Sequence, residues 1–312
     1  MGMGIIGGGG ISGPASTVDN KIVRMDGTGG STIQDSLAII TDDGDIQTTG
    51  GNARGTNAVD LQSQRDADAK VASGTEAVIS GGANNTASNL NCTICGGTGN
   101  TASGSYATVT GGVFNEASGS TTVITGGTTN AANSELAAVV GGSNNSALAP
   151  VAIVVGGSYG LADHNGERVF SSRGSVSGGD QSGVIICAGQ TTDASKTEIF
   201  CSGDSGARFT VSADTAYSIS WLCFAMTSGG TDIGDWTNNA TIAYRQGSGN
   251  ITLTAPLAAN NPVDGVGASY AAWALDISAD TGNQSVKIEV TGAASKTINW
   301  RVILQYDKQI FA

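Results

Sequence analysis

The chain has 312 residues, of which 48 are glycine and only 13% are charged, and its formal net charge is -12 at pH 7. An acidic chain of this kind offers no basic footprint for nucleic acid or for an anionic membrane surface. Low charge also argues against ordinary disorder, and the abundance of Gly, Ser, Thr, Asn and Ala predicts short strands joined by many turns. No run of 18 apolar residues occurs, so no membrane-spanning helix is expected.

Two units are predicted before the central region. The Gly-rich residues 1–12 have no basic segment and too short an apolar one for a signal peptide. They predict either a tail that gains order on docking to other proteins or a disordered terminus with no role. In residues 13–60 the segment "TDDGDIQ" (41–47) has a calcium-like Asp spacing but lacks the later Glu of an EF-hand loop. An Asp-Gly hairpin turn explains this segment more simply. Residues 58–71 show only a weak helical pattern.

A 15-residue repeat occupies residues 61–165. Glycine pairs recur at this interval, and their first members are Gly81, Gly96, Gly111, Gly126, Gly141 and Gly156. An alanine column follows each pair, at Ala87, Ala102, Ala117, Ala132, Ala147 and Ala162. Between the two lies an asparagine column that runs from Asn85 to Asn145 and is broken at Gly160. Ile or Val stands two positions before every pair.

Each repeat predicts two short strands whose side chains alternate between inside and outside. The glycine pair suits a corner that needs positive φ or close backbone approach, and the Asn column suits a second corner because Asn tolerates the left-handed region. Since 15 residues bury no core alone, we expect six stacked coils of a parallel β-roll, about 4.8 Å apart. So thin a roll has little interior, and three copies are therefore expected to associate around a threefold axis.

Five cysteines occur without a disulfide framework. Cys92 and Cys95 form a CxxC, but no second pair or histidine partner follows, so buried or semi-buried free thiols are expected instead of a zinc or redox site. Asp163, His164 and Glu167 form the one tight group of acids and imidazole. We interpret the group as structural; the alternative is a metal-binding or pH-sensitive ring of three imidazoles on the trimer axis.

All four tryptophans lie beyond residue 165. This shift in composition predicts a connector over 166–206 and a C-terminal domain over 207–312 with its own aromatic core. Strands are expected at 215–228, 240–246, 250–256, 269–278, 284–292 and 296–307, which predicts a β-sandwich or jelly-roll-like knob. Trp221, Trp273 and Trp300 lie in the middle of these strands and are assigned to packing.

Trp236 lies instead in the polar segment "GGTDIGDWTNN" (229–239). Its neighbours supply carboxylates and amides beside an aromatic face, a combination by which proteins commonly bind sugars. The candidate receptor-binding residues are Asp232, Asp235, Trp236, Asn238 and Asn239. The alternative is that Trp236 packs into the domain or into a subunit interface.

Several segments resemble bacteriophage tail fibre proteins. Residues 13–47 are similar to a shaft module of those fibres, residues 50–82 resemble the stretch that opens their head-like rolls, and residues 161–183 resemble the element that closes the roll. The coils themselves resemble the left-handed rolls in the heads of trimeric bacterial adhesins.

The resemblance implies an all-β homotrimeric fibre in the virion tail, with a short β shaft over residues 13–60, assembled in the host cytoplasm. Residues 1–12 would dock on tail or baseplate proteins, and the C-terminal knob would contact a bacterial surface glycan or protein. We expect no cofactor, no metal and no catalytic residues, because glycoside hydrolysis usually needs two carboxylates at a fixed separation and the acids of the repeat fall in different columns. Two alternatives stay open: a purely structural tail component without receptor binding, and a polysaccharide-degrading spike.

Overall fold

The computed structural model describes residues 21–25, 33–40, 46–48, 54–171, 178–201, 206–237, 241–254, 257–260, 264–266 and 270–310. Within these ranges the chain forms 30 β-strands and one 3₁₀ turn, Tyr270–Ala272, and no α-helix. The all-β fold class is therefore confirmed. The described part of the chain also contains no helix that is both long and apolar enough to cross a bilayer.

The repeat forms a parallel β-solenoid of about seven turns. One sheet contains eight solenoid strands: β4 (Val59–Asp60), β5 (Val78–Ile79), β7 (Thr93–Ile94), β9 (Thr108–Val109), β11 (Val123–Ile124), β13 (Ala138–Val139), β15 (Ile153–Gly156) and β17 (Arg168–Ser171). A second sheet contains six: β6 (Thr86–Ala87), β8 (Thr101–Ala102), β10 (Glu116–Ala117), β12 (Ala131–Ala132), β14 (Ser146–Ala147) and β16 (Leu161–Ala162). From β5 onward, neighbouring strands pair in parallel at the repeat interval, as Val123 with Ala138 shows.

Coils at both ends of the repeat extend the solenoid beyond the glycine register. Residues 58–71, which show a weak helical pattern in the sequence, form part of a first coil instead: β4 pairs in parallel with β5, and Ala58 and Val71 are buried. At the other end β17 pairs in parallel with β15. Val169 of β17 is buried with the solenoid core. The solenoid therefore extends past the predicted boundary at residue 165.

The glycine pairs form a corner in which the two members differ. The second glycine has φ between +85° and +92°, at Gly82, Gly97, Gly112, Gly127 and Gly142. A Cβ on Gly112 would lie 2.2 Å from the carbonyl oxygen of Gly127 in the next coil. The prediction of positive φ and close backbone approach is thus confirmed for this position. At the first glycine, such as Gly111, an added Cβ would meet no atom within 4 Å.

The asparagine column does not form the second left-handed corner, so that prediction is wrong. Left-handed residues directly precede it, at Asn84, Phe114, Thr129, Asn144 and Tyr159. The column itself is buried and forms a ladder inside the solenoid. The amide nitrogen of Asn115 donates to the carbonyls of Gly111 and Gly127, both at 3.0 Å, and its Oδ1 accepts from the backbone N–H of Asn130 at 3.0 Å.

At each end of this ladder, another polar group makes the hydrogen bonds that a further asparagine would make. At the first coil, Gln62 accepts from the backbone N–H of Asn85 at 2.8 Å and donates to the Asn85 carbonyl at 3.0 Å. At the last coil, the backbone N–H of Gly160 donates to Asn145 Oδ1 at 2.8 Å. Buried amides in the ladder therefore find partners in both neighbouring coils, which a buried polar group requires.

Three strands lie upstream of the solenoid: β1 (Lys21–Met25), β2 (Ile33–Ile40) and β3 (Ile46–Thr48). β2 pairs antiparallel with both β1 and β3, and the pairing of β2 with β3 is the one that the hairpin predicted around residues 41–47 requires. β3 pairs in parallel with β4 and joins these strands to the solenoid sheet. The predicted tail over 1–12 and the turn residues 41–45 lie outside the described residues.

The C-terminal region contains thirteen strands: β18 (Gln181–Thr191), β19 (Lys196–Glu198), β20 (Phe200–Cys201), β21 (Phe209–Thr210), β22 (Thr215–Thr227), β23 (Ile233–Thr237), β24 (Thr241–Arg245), β25 (Thr252–Leu253), β26 (Leu257–Asn260), β27 (Asp264–Val266), β28 (Ala274–Asp280), β29 (Ser285–Thr291) and β30 (Ile298–Ile310). β19, β21, β26, β28 and β29 form a separate sheet. Buried residues of both sheets make one core, which includes all four tryptophans.

One continuous sheet connects the solenoid to the C-terminal region. β17 pairs antiparallel with β18, β18 pairs along its whole length with β30, and β30 pairs with β22. Residues of β18 and β20 belong to the C-terminal core. Much of the segment 166–206, predicted as a connector, is therefore shared between the solenoid and the C-terminal core.

Candidate functional site

Part of the segment predicted to bind a receptor, residues 233–237, forms a strand and not a polar loop. Trp236 lies in β23, and its side chain is 0% exposed. Its ring packs against Trp300 with the centroids 5.3 Å apart. The prediction that Trp236 offers its aromatic face to a ligand is therefore wrong for the single chain, because the ring belongs to the domain core.

The other predicted receptor residues separate in the structure. Asp232 is buried, and its carboxylate lies 3.2 Å from the ammonium nitrogen of Lys296. Asp235 is half-buried and lies across the sheet from Phe224, which is 43% exposed. Asn238 and Asn239 lie outside the described residues.

Strand alternation explains why the sequence was misleading here. The hairpin pairs Cys223 with Trp236 and Phe224 with Asp235. Because successive side chains point to opposite faces, Trp236 follows the buried Cys223 into the core while Asp235 follows Phe224 outward. Gly and Asp are depleted in strands, so the composition of residues 229–235 did not indicate a strand. The strand forms because it pairs with other segments of the chain.

A groove of about 600 Å³ lies where the solenoid meets the C-terminal sheet. We call it the junction groove, and it is lined by Val155, Arg168, Val169, Phe170, Ser182, Gly183, Val184, Ser218, Ser220, Gln305, Tyr306 and Asp307. The side chain of Phe170 is 56% exposed beside it. Its lining brings one exposed aromatic ring together with hydroxyl, amide, guanidinium and carboxylate groups, which suits contact with another polypeptide or with a polar ligand.

Exposed apolar residues extend from the junction groove across the C-terminal sheet. Ile303 lies opposite Ile186 on one side and Leu222 on the other, which makes an apolar row across three strands. Leu222 and Phe224 are exposed. Contiguous exposed apolar surface of this kind commonly marks an interface.

The solenoid continues this surface in the other direction. The outward residues of its first sheet, from β5 to β15, carry no charge in any coil: Val78, Ser80, Thr93, Cys95, Thr108, Thr110, Val123, Thr125, Ala138, Val140, Ile153 and Val155. We call these twelve residues the uncharged face. The first glycines of the five pairs from Gly81 to Gly141 border it, and each has open space at its Cβ position. Nothing within the chain itself explains why this column is always glycine.

A buried polar cluster joins the solenoid to the C-terminal core. Nδ1 of His164 lies 3.0 Å from Asp163 Oδ1 and 3.3 Å from Glu167 Oε2. Glu167 Oε2 also accepts from the backbone N–H of Asp163 at 2.8 Å and of His164 at 3.0 Å, and the hydroxyl of Tyr306 donates to Glu167 Oε1. Nε2 of His164 lies 3.1 Å from Thr210 Oγ1.

The ionisation of this cluster follows from its neighbours. Burial acts to lower the pKa of His164, but hydrogen bonds and charges from Asp163 and Glu167 outweigh it and raise the pKa to about 10. Burial acts to raise the pKa of Asp163, and the hydrogen bond and charge of His164 bring it below its ordinary value. Burial lowers the pKa of Lys308 nearby. The raised pKa favours the imidazolium form of His164 at neutral pH, next to its two acidic neighbours.

The axial ring of three imidazoles is contradicted by this packing. His164 is only 5% exposed, and its ring stacks on Phe209 of the same chain with the centroids 4.9 Å apart. The ligand atoms of Asp163, His164 and Glu167 lie within 4.8 Å of one another, but they are occupied by the hydrogen bonds described above. The structural interpretation of this group is the one that the geometry supports.

Cys92 and Cys95 do not form a joint site. Cys92 is buried in the solenoid interior and its thiol lies 3.0 Å from the carbonyl of Gly104. Cys95 is exposed on the uncharged face. Three residues along a strand place the two side chains on opposite faces, so the CxxC spacing carries no shared chemistry here.

Comparisons with known proteins add little to this picture. No protein family and no curated protein matches the sequence. Among solved structures, the chain is similar to the tailspike protein of Acinetobacter phage vB_ApiP_P1, at 12% identity and a TM-score of 0.18. The match covers 83% of this chain and 57% of the tailspike chain. A TM-score this low supports no conclusion about fold or function.

Proposed function

We propose that the chain is the protomer of a homotrimeric bacteriophage tail fibre that attaches the virion to its bacterial host. The observation that carries this proposal is the uncharged face, which leads into the junction groove and the exposed apolar row of the C-terminal sheet. A surface with no charged side chain over six coils is poorly suited to permanent exposure. Its proposed occupant is a second copy of this chain.

The glycines that border this face favour the same occupant. In the single chain a side chain at Gly111 would extend into empty space, and its φ lies outside the left-handed region. A close backbone approach from a neighbouring copy would explain why the position admits no side chain. The net charge of -12 disfavours assembly through charged surfaces of the chain.

The first experiment is the native mass of the purified chain. We expect three times 30.9 kDa, and resistance to SDS until the sample is heated. A variant with Gly96, Gly111 and Gly126 all changed to Gln should shift to the monomer mass. A matched control with Thr101, Glu116 and Ala131 all changed to Gln alters the outward column of the second sheet and should stay trimeric. A cooperatively folded wild-type monomer would refute the trimer.

Host attachment is proposed to reside in the C-terminal domain, with residues 1–12 bound to tail or baseplate proteins of the virion. Three domains per fibre allow weak single contacts with a surface glycan or protein to act together. Of the predicted receptor residues, Asp235, Asn238 and Asn239 are the positions to test, because Trp236 and Asp232 are committed to the interior.

Competition for adsorption tests this second half of the proposal. Soluble trimer should block phage adsorption to host cells, and a variant with Asp235, Asn238 and Asn239 changed to Ala should block it less while keeping its native mass. No competition at saturating trimer would favour a purely structural tail component. Release of new reducing ends from host polysaccharide would instead identify a degrading spike.

A further inference from the structure

Two of the three cysteines in the C-terminal domain face each other across a strand pair. Cys187 of β18 lies directly opposite Cys201 of β20 in an antiparallel register. Their sulfur atoms are 2.8 Å apart, and both side chains are buried. Opposite residues of antiparallel strands have Cα atoms about 4.5–5.5 Å apart, which is within the range that a disulfide spans.

We propose that Cys187 and Cys201 are a covalent modification site, reduced in a reducing cytoplasm and joined by a disulfide in oxidising surroundings. The proposal depends on the strand pairing and not on the attachment function. Among the described strands, β20 has two residues and is paired with β18, so the disulfide would fasten a short strand to the central strands of the C-terminal domain.

The reaction is a thiol–disulfide exchange with a small-molecule disulfide such as oxidised glutathione. The thiolate of one cysteine attacks this disulfide, forms a mixed disulfide and releases one glutathione thiolate. The second cysteine then attacks the protein-bound sulfur and releases the second glutathione. Two protein thiols are oxidised, the oxidant is reduced to two thiols, and the two protons pass to the released glutathione.

The same structure contains an internal control. Cys223 of β22 is separated from Cys187 by the intervening strand β30, since both cysteines lie opposite Val302. Adjacent strands are about 4.8 Å apart, so Cys223 is two strand spacings from Cys187, beyond the reach of a disulfide. Proximity thus selects one pair among the three buried thiols of the C-terminal domain.

Because both thiols are buried, the exchange is expected to be slow, but it can still occur. The hydrogen bond with Cys201 and the buried position raise the pKa of the Cys187 thiol well above its ordinary value, so little thiolate exists in the closed state. The exchange requires β20 to open. A two-residue strand is the kind of element that opens locally without global unfolding.

The test incubates the purified full chain with oxidised glutathione, then alkylates it and determines its intact mass and peptide map. We expect three alkylated cysteines, Cys92, Cys95 and Cys223, and a linked peptide pair that contains Cys187 and Cys201. The linkage closes a segment of residues 14 positions apart, and we expect Tm to rise by about 5 °C relative to the reduced chain.

Two variants make the result decisive. Cys223→Ser should leave the linkage and the Tm shift unchanged, whereas Cys201→Ser should abolish both. Cys201→Ala, which keeps an apolar interior, serves if the serine variant fails to fold. Five alkylated cysteines after incubation just below Tm, or a link from Cys187 to Cys223, would overturn the proposal.

Discussion

The solenoid and the C-terminal domain fill their interiors in opposite ways. The apolar core of the solenoid contains only small or β-branched residues, such as Ala107, Val109 and Ala117 in one coil, and the asparagine ladder lies beside it. The C-terminal core contains four tryptophans with Tyr217 and Phe209. The solenoid interior is so narrow that hydrogen bonds between coils stabilise it in place of large side chains. The C-terminal core is stabilised by the burial of a large apolar area.

This difference determines where each region is sensitive to substitution. In the solenoid, a single coil is supported only by its two neighbours, so a defect in the ladder acts on three coils. In the C-terminal domain, one large ring contacts residues from several strands, so its removal leaves a cavity that many strands share. The predictions below test this contrast from the largest expected effect to the smallest.

Trp236→Ala should cost about 4 kcal/mol of unfolding free energy, because a fully buried indole leaves a cavity beside Trp300. Chemical denaturation followed by tryptophan fluorescence measures the change in the C-terminal transition. Ser248→Ala, in the exposed turn after β24, is the control and should change stability by less than about 1 kcal/mol. Equal losses in the two variants would place the indole outside the core.

Periodicity accounts for what the sequence predicted well. Five equal intervals between the six glycine pairs fix the coil register, and the structure pairs Val123 with Ala138 at that spacing. The pattern did not separate two roles that Asn fills equally well, a left-handed corner and a buried ladder. The structure decides between the two roles, because the side chain of Asn115 points inward. The sequence contained one signal for this: the asparagine column stands two positions before the buried alanine column and so shares its face of the strand.

The candidate site was less predictable because it depends on pairing between distant segments. The junction groove combines Phe170, Ser182, Ser218 and Gln305, which no local motif brings together. One signal was present: continuing the repeat register by one more coil places Glu167 in the inward small-residue column after Ala152. A carboxylate at an inward position predicts a polar partner beyond the last coil, and Tyr306 is that partner.

Asn115→Ala should cost about 3 kcal/mol, because it removes the hydrogen bonds to Gly111 and Gly127 and the acceptor of the Asn130 amide. Thermal unfolding followed by circular dichroism measures the loss. Asn133→Ala is the matched control three positions after Asn130 of the same ladder: its side chain is exposed and accepts one hydrogen bond from Ser118. A similar Tm for the two variants would contradict a stabilising ladder.

The pH dependence of stability should be the smallest effect and should involve only the cluster where the two regions meet. The pKa of His164 is about 10 in the folded chain and 6.5 ordinarily, so its protonation stabilises the fold fully below pH 6.5 and progressively less as pH rises toward 10. The lowered pKa of Lys308 opposes this loss, because the contribution of Lys308 to stability increases as pH rises. We expect a net loss of about 2 kcal/mol between pH 6.5 and pH 9.

The control for this effect is His164→Gln, which keeps a hydrogen-bonding side chain but cannot titrate. This variant should be less stable than the wild type at pH 6.5, and its stability should change little up to pH 9. Above that range the buried phenols Tyr217 and Tyr306, whose pKa values are also raised by burial, would add their own loss, so the comparison must stop there. If both proteins lose stability equally between pH 6.5 and 9, the imidazolium does not hold the solenoid to the C-terminal core, and the contact through Tyr306 and Glu167 must do so without it.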